Sequence, residues 1–114
     1  MSEMNWDELE WESVLPGVKR KVFHANHCTL VYNVLEVGSR FAPHSHPHEQ
    51  VVYILHGEGE FVIGGRRCQL GPGSVMTIAP GVEHSATIVG AAPCINLDVF
   101  VPRREDYRPS KRKS

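Results

Sequence analysis

No apolar run in the sequence approaches the ~20 residues that a bilayer-spanning helix needs, which excludes a helical membrane span. Charge of one sign is also missing. Twelve Lys and Arg stand against 13 Asp and Glu, for a net charge of −1, so no overall basic field points to nucleic acid. Cysteine is scarce: Cys28, Cys68 and Cys94 are odd in number and lack Cys-x-x-Cys spacing. They read as small buried thiols of a reducing compartment rather than as a disulfide framework. The first dozen residues hold Glu3, Asp7, Glu8, Glu10 and Glu12 with no Lys or Arg, the opposite of a secretory leader. The expectation is a cytoplasmic protein with neither a nucleic-acid nor a membrane partner.

What is present is β signal broken by turns. Hydrophobic residues at 41% and charged residues at 22% fit one ordinary globular domain. The 10 Gly and 8 Pro are spread along the chain as turn chemistry, and no long stretch has a 3.6-residue period. Strand-like segments fall at 28–35, 50–55, 74–78, 83–89 and 94–101. Residues 60–63 and 66–70 flank Gly64-Gly65 as a hairpin on a two-residue turn. Several short strands at such spacing predict an all-β antiparallel sandwich or barrel. Residues 26–107 are assigned to it. Residues 1–25 are read as an N-terminal extension in which Trp6, Leu9 and Trp11 suit either a helical turn or an edge strand. Residues 108–114 are read as a disordered basic tail.

Four of the seven histidines, His44, His46, His48 and His56, lie within thirteen residues. In extended backbone, residues two apart project to the same side, so His44 and His46 can present their imidazoles together. Pro43 and Pro47 bias the residues before them toward that geometry. Gln50 shares the parity, and its amide oxygen can join the same wall. A further ligand must come from elsewhere, and His84, just after the Pro80-Gly81 turn, is the candidate. His48 has the same parity and is the alternative to Gln50. Glu49 is read as supporting or solvated, and His24, His27 and His56 as surface or turn histidines.

The pattern Gly38-x5-His44-x-His46-x3-Gln50-x6-Gly57 resembles the first motif of the cupins, and Gly73-x5-Ala79-x-Gly81-x2-His84 resembles the second. The resemblance implies a double-stranded β-helix, or jelly-roll, barrel holding one divalent transition metal through His44, His46, Gln50 and His84. Nickel, zinc, manganese, iron and cobalt all suit such a site. The sequence departs from the usual cupin pattern at Gln50 for Glu, Ala79 for Pro and Ile88 for Asn. With four neutral ligands the ion keeps its full charge and is the stronger Lewis acid.

Alternation along 96–101 places Asn96, Asp98 and Phe100 on one face and Leu97, Val99 and Val101 on the other. Either set can face the interior. The His-rich run, Leu97-Asp98-Val99-Phe100, Arg104-Glu105-Asp106-Tyr107 and the early Gly17-Val18-Lys19-Arg20-Lys21 are together similar to pectin-degradation cupins of the KdgF type. That resemblance implies an enzyme opening 4,5-unsaturated uronates, the products of pectate and alginate lyases, to linear keto-deoxyuronates. Asp98 would then be the general acid/base, and Phe100 and Arg104 would hold the acidic sugar. Arg104 is preferred to its neighbour Arg103 by the family match alone. Cupin resemblance also makes a homodimer the first expectation, with the second subunit covering the outer face of Leu97, Val99 and Val101. An iron-dependent dioxygenase and a non-enzymatic sugar-binding module are the competing readings.

Overall fold

The computed structural model describes residues 3–114, so the first two residues of the expected extension lie outside the described residues. A single turn of 3-10 helix, Trp6–Glu8, precedes the strands. These are β1 (Glu12–Leu15), β2 (Val18–His24), β3 (Thr29–Leu35), β4 (Arg40–His44), β5 (Glu49–His56), β6 (Glu58–Ile63), β7 (Arg66–Leu70), β8 (Val75–Ile78), β9 (His84–Val89) and β10 (Cys94–Val101). They form a six-stranded sheet, β1-β2-β3-β10-β5-β8, and a four-stranded sheet, β4-β9-β6-β7. Every ladder is antiparallel, as the all-β jelly-roll reading requires.

Local chemistry accounts for the elements. β3 alternates buried and half-buried residues along its whole length, the period-two signature of a strand with one face on a core. The β6–β7 hairpin turns on Gly64 and Gly65, with φ of +57° and +80°, the left-handed pair that matches the twist of the flanking strands. Gly57 marks the corner where the chain leaves one sheet for the other. A Cβ there would sit 2.4 Å from the Pro93 carbonyl oxygen and 2.6 Å from Cys94 Cα, so only glycine fits.

Between the sheets lies an apolar cluster of Val18, Leu35, Val52, Ile54, Phe61, Leu70, Ile78, Ile88 and Cys94. Val22, Val31 and Phe100 form a second cluster with Tyr107 packed on it. Burial pushes the Cys94 thiol up to about 11. Cys28 and Cys68 are only half-buried, less enclosed than their apolar surroundings in sequence implied, and all three cysteines are free.

The ends of the chain differ from expectation. β2 pairs with β3 from Val18 opposite Leu35 to His24 opposite Thr29, so the sheet begins well before residue 26. Its inward apolar residues, Val18 and Val22, are separated by Lys19, Arg20 and Lys21, and this run of charge masks the alternation. The tail is docked rather than free in its backbone. Ser110 N–H donates to the Val22 carbonyl and Lys113 N–H to that of Glu8, while Leu9 and Arg112 form an antiparallel bridge. Side chains 111–114 are exposed to solvent, so the tail's charge stays hydrated while its amides are paired.

On the outer face of the large sheet, Trp6 and Trp11 pack on Tyr32 with ring centroids 5.5 and 6.0 Å away. Tyr53, Val75 and Val101 are exposed. Among the described residues no helix is long and apolar enough to cross a membrane.

Ile54 is fully buried in the main cluster, where truncation leaves a cavity that close-packed strands cannot collapse into. Ile54→Ala should lower unfolding free energy by about 2–5 kcal/mol in urea titrations at unchanged slope.

Candidate metal centre and its cavity

The histidines of both motifs meet because β4 and β9 are neighbours in exact antiparallel register at one point: His44 lies directly opposite His84. Their rings are 4.2 Å apart between centroids. His46 follows β4 in the connection to β5, and its backbone carbonyl accepts a hydrogen bond from Gly81 N–H at 2.8 Å. The Pro80-Gly81 turn thus fastens the first motif to the second. The His46 ring stands 4.9 Å from that of His84. One ring nitrogen from each of His44, His46 and His84 lies within 4.8 Å of those of the other two.

Hydrogen bonds orient all three rings the same way. His44 Nδ1–H donates to the Ala42 carbonyl at 2.8 Å, His46 Nδ1–H to that of His48 at 3.0 Å and His84 Nδ1–H to that of Val82 at 2.9 Å. A carbonyl only accepts, so each Nδ1 carries its proton and each Nε2 is left to face the shared centre. Burial lowers the pKa of His46 and His84, which keeps both rings neutral with their lone pairs available. His84 Nε2 is buried without a partner.

Gln50 enters from β5, in the other sheet. Its Oε1 lies 3.0 Å from His46 Nε2. With the proton on Nδ1, this sets two acceptors against one another, an arrangement that a cation held by both atoms would satisfy. Together with the unpartnered His84 nitrogen, this donor set fits a divalent metal of the kind bound by imidazole. His48 does not join the group. It is half-buried, its ring 5.6 Å from that of His46, and its carbonyl serves His46 instead.

The cavity above this group shares Val18, Leu35, Phe61 and Ile78 with the main apolar cluster and has a polar wall along β3, β5 and β10. Asp98 is on that wall. Its Oδ2 accepts from Asn33 Nδ2 at 2.9 Å and its Oδ1 from Asn96 Nδ2 at 2.8 Å. Burial pushes the Asp98 carboxyl up to about 6, against hydrogen bonds from Gln50, Asn33 and Asn96 and the charge of Arg104. Gln50 therefore turns its oxygen to His46 while its amide acts on Asp98 in favour of the ionised form. A glutamate at this position would set two carboxylates side by side, which an amide avoids.

Phe100, directly opposite Gln50 in the ladder, packs edge-on to His46 at 5.4 Å and to Tyr107 at 5.7 Å. Arg104 is buried on the cavity wall, its guanidinium over the rings of Phe100 and Tyr107 at 4.7 and 4.0 Å. Asp106 accepts from Arg104 Nε at 3.0 Å and from Nη2 at 2.8 Å, and its carboxyl is held at about 2 by that hydrogen bond. Arg103 turns away from this cavity, to Glu105 at 3.0 Å and toward the Ala25 carbonyl. The seven side chains singled out in the sequence, His44, His46, Gln50, His84, Asp98, Phe100 and Arg104, thus line one cavity.

Three further residues shape the site, and the sequence pattern did not single them out. His24 was read as a surface or turn histidine. Instead its Nδ1 lies 2.7 Å from Thr29 Oγ1 and its Nε2–H donates to the Tyr107 carbonyl at 2.9 Å. Thr29, fully buried, accepts the backbone N–H of Arg104 at 2.9 Å. This bridge from β2 and β3 holds the 104–107 segment over the cavity. The third is Tyr107, whose ring carries both Arg104 and Arg20. Its place beside the Arg104 motif was the available signal. His27 and His56 are exposed, as expected, and so is Glu49.

Residues 31–100 match the cupin domain family. The pectin degradation protein KdgF of Dickeya dadantii (strain 3937) is 28% identical over 103 residues, covering 89% of this chain and 93% of that protein. The structure of KdgF from Halomonas sp. superimposes with a TM-score of 0.85 at 29% identity, covering 93% of this chain and 97% of the other. An RmlC-like cupin from Shewanella frigidimarina NCIMB 400 gives a TM-score of 0.85 at 28% identity, over 94% and 97% of the two chains.

One divalent ion per chain should bind in equilibrium dialysis with nickel or zinc, and should raise the melting temperature by mass action. His84→Ala should weaken that binding by about a hundredfold or more and abolish the thermal shift.

Proposed function

From the premise that the chain belongs to the cupin family, we propose that it is a metal-dependent enzyme converting 4,5-unsaturated uronates to linear keto-deoxyuronates. The observation that carries this reading is the placement of Asp98. A carboxyl near neutrality stands between the Gln50 amide and the Arg104 side of one cavity. Such a group can both take and return a proton close to neutral pH. The likeness to the two KdgF proteins supports the choice of substrate.

The substrate is a cyclic enol ether bearing a carboxylate. Arg104 would hold that carboxylate through charge-assisted hydrogen bonds, its plane fixed by Phe100, Tyr107 and the Asp106 clamp. Asp98 takes the proton from the ring hydroxyl as the bond between that carbon and the ring oxygen breaks. The carbonyl forms where the hydroxyl stood, and the ring oxygen leaves with the bonding pair as an enolate. Returning the proton from Asp98 to the enolate carbon completes the keto product, so the reaction is a net isomerisation with no oxidant and no nucleophile. Asn33 and Asn96 hold the carboxyl in place through both of its oxygens. Phe100 closes the wall against water. A divalent ion held by His44, His46, His84 and Gln50 would supply Lewis-acid polarisation of a substrate oxygen. In this reading a second copy covers the exposed strip of Tyr53, Val75 and Val101, giving a homodimer.

Unsaturated galacturonate generated by a pectate lyase should lose its conjugated ultraviolet absorbance faster with the enzyme than in buffer. Asp98→Asn should slow that loss by about 10²–10⁴-fold in kcat. Arg104→Gln should act mainly on KM, raising it about tenfold or more. No acceleration by the metal-loaded wild type over buffer would overturn the assignment.

A further inference from the structure

We infer that Arg20 is a second ligand-binding arginine of the cavity and acts with Arg104 to select an acidic small molecule. The inference deepens the uronate reading and rests on it for the class of ligand. Arg20 lies in the middle of β2 with Asn33 opposite it on one side and Glu12 on the other, and it lines the same cavity as Asp98. Its guanidinium packs on the Tyr107 ring, 4.1 Å from the centroid, and Arg104 packs on that ring at 4.0 Å. Two arginines from opposite ends of the chain therefore share one aromatic support at the cavity wall.

Their hydrogen bonding differs. Arg104 is clamped along one edge by Asp106 through two short bonds. The Arg20 side chain is only 15% exposed, yet its charged partner is Glu12, a single contact of 3.4 Å to a side chain 44% exposed. Arg20 Nε is buried with no partner. A guanidinium offers five N–H donors, and enclosing it with one long ion pair leaves much of its desolvation uncompensated. Arg104 and Arg20 each have a carboxylate beside them, Asp106 and Glu12, but only the first pair is short and two-pronged. What the wall lacks is an acceptor for Arg20, and an acidic group of the ligand supplies it. Arg104 has its Nε edge occupied, so the free Nε of Arg20 adds a donor that Arg104 cannot offer.

The test uses the full chain loaded with nickel, as wild type, Arg20→Gln and Arg20→Lys, titrated with galacturonate and with its neutral counterpart galactose by protein-detected NMR. Arg20→Gln should weaken galacturonate binding about tenfold or more and leave the galactose response unchanged. Arg20→Lys, which keeps the charge but loses the Nε donor and the planar stacking on Tyr107, should recover only part of the loss. Turnover of unsaturated galacturonate by Arg20→Gln should show the change in KM, with kcat within about threefold of wild type. Unchanged galacturonate affinity in Arg20→Gln would overturn the inference. So would equal loss of both sugars in a variant with native circular dichroism, or a wild type with no preference for galacturonate. If galacturonate binds in an Arg20-dependent way but wild type turns over no unsaturated uronate, the binding role stands and the proposed reaction falls.

Discussion

Three imidazoles share one point because each is tied at Nδ1 to a backbone carbonyl two residues away, and the rest of the site depends on that arrangement. A neutral ring has one donor and one acceptor, so spending the donor on the backbone turns the lone pair inward. The ties are local, but the point at which they converge is not. It exists because β4 and β9 run in register at His44 and His84, and because Gly81 holds the loop bearing His46. Burial then acts in the same direction, keeping the His46 and His84 rings unprotonated. A cation bound there would satisfy both the orphaned His84 nitrogen and the opposed pair of His46 and Gln50.

The cost of that centre is a polar wall inside a β sandwich, and the wall is organised to be satisfied. Gln50 joins its two halves, turning its oxygen to His46 and standing beside Asp98, whose carboxyl it helps to keep ionised. Asn33 and Asn96 occupy both carboxylate oxygens from neighbouring strands in register. Beyond Asp98, the 104–107 segment is fixed from behind by Thr29 and His24, residues distant in sequence that never touch the cavity centre. Two of the buried polar atoms without a hydrogen-bond partner, His84 Nε2 and Arg20 Nε, are on residues of this wall, while His48 Nδ1 and Arg103 Nε are on residues outside it. A buried polar atom without a partner is costly, and on the wall a bound ion or ligand could satisfy it.

Much of this was legible because strands announce themselves by period two. The alternation of β3 and β10, the Gly64-Gly65 turn and the His44/His46 parity are local properties of the chain, and each is found in the structure. The candidate residues meet at one cavity for a related reason: the motifs place chemistry-bearing side chains at or near strand ends, where parity and turn position set direction. The failures share a cause as well. In β2, Lys19, Arg20 and Lys21 interrupt the apolar pattern, because Lys21 lies against the N-terminal segment through a bond to the Trp6 carbonyl and Arg20 faces the cavity. The tail read as disordered is a run of charge whose backbone finds partners in residues a hundred positions earlier. Neither partner is visible from a local window.

The sequence alone determined which faces of the strands are apolar, where the chain turns, and that two imidazoles separated by one residue point the same way. These follow from steric rules that act over two to four residues. Only the tertiary structure decided that Arg104 rather than Arg103 meets the cavity, that His48 lends its carbonyl and not its ring, and that Arg20 shares Tyr107 with Arg104. Those choices depend on register between strands far apart in the chain. Register is set by the summed burial of both sheets and not by any one residue's neighbours.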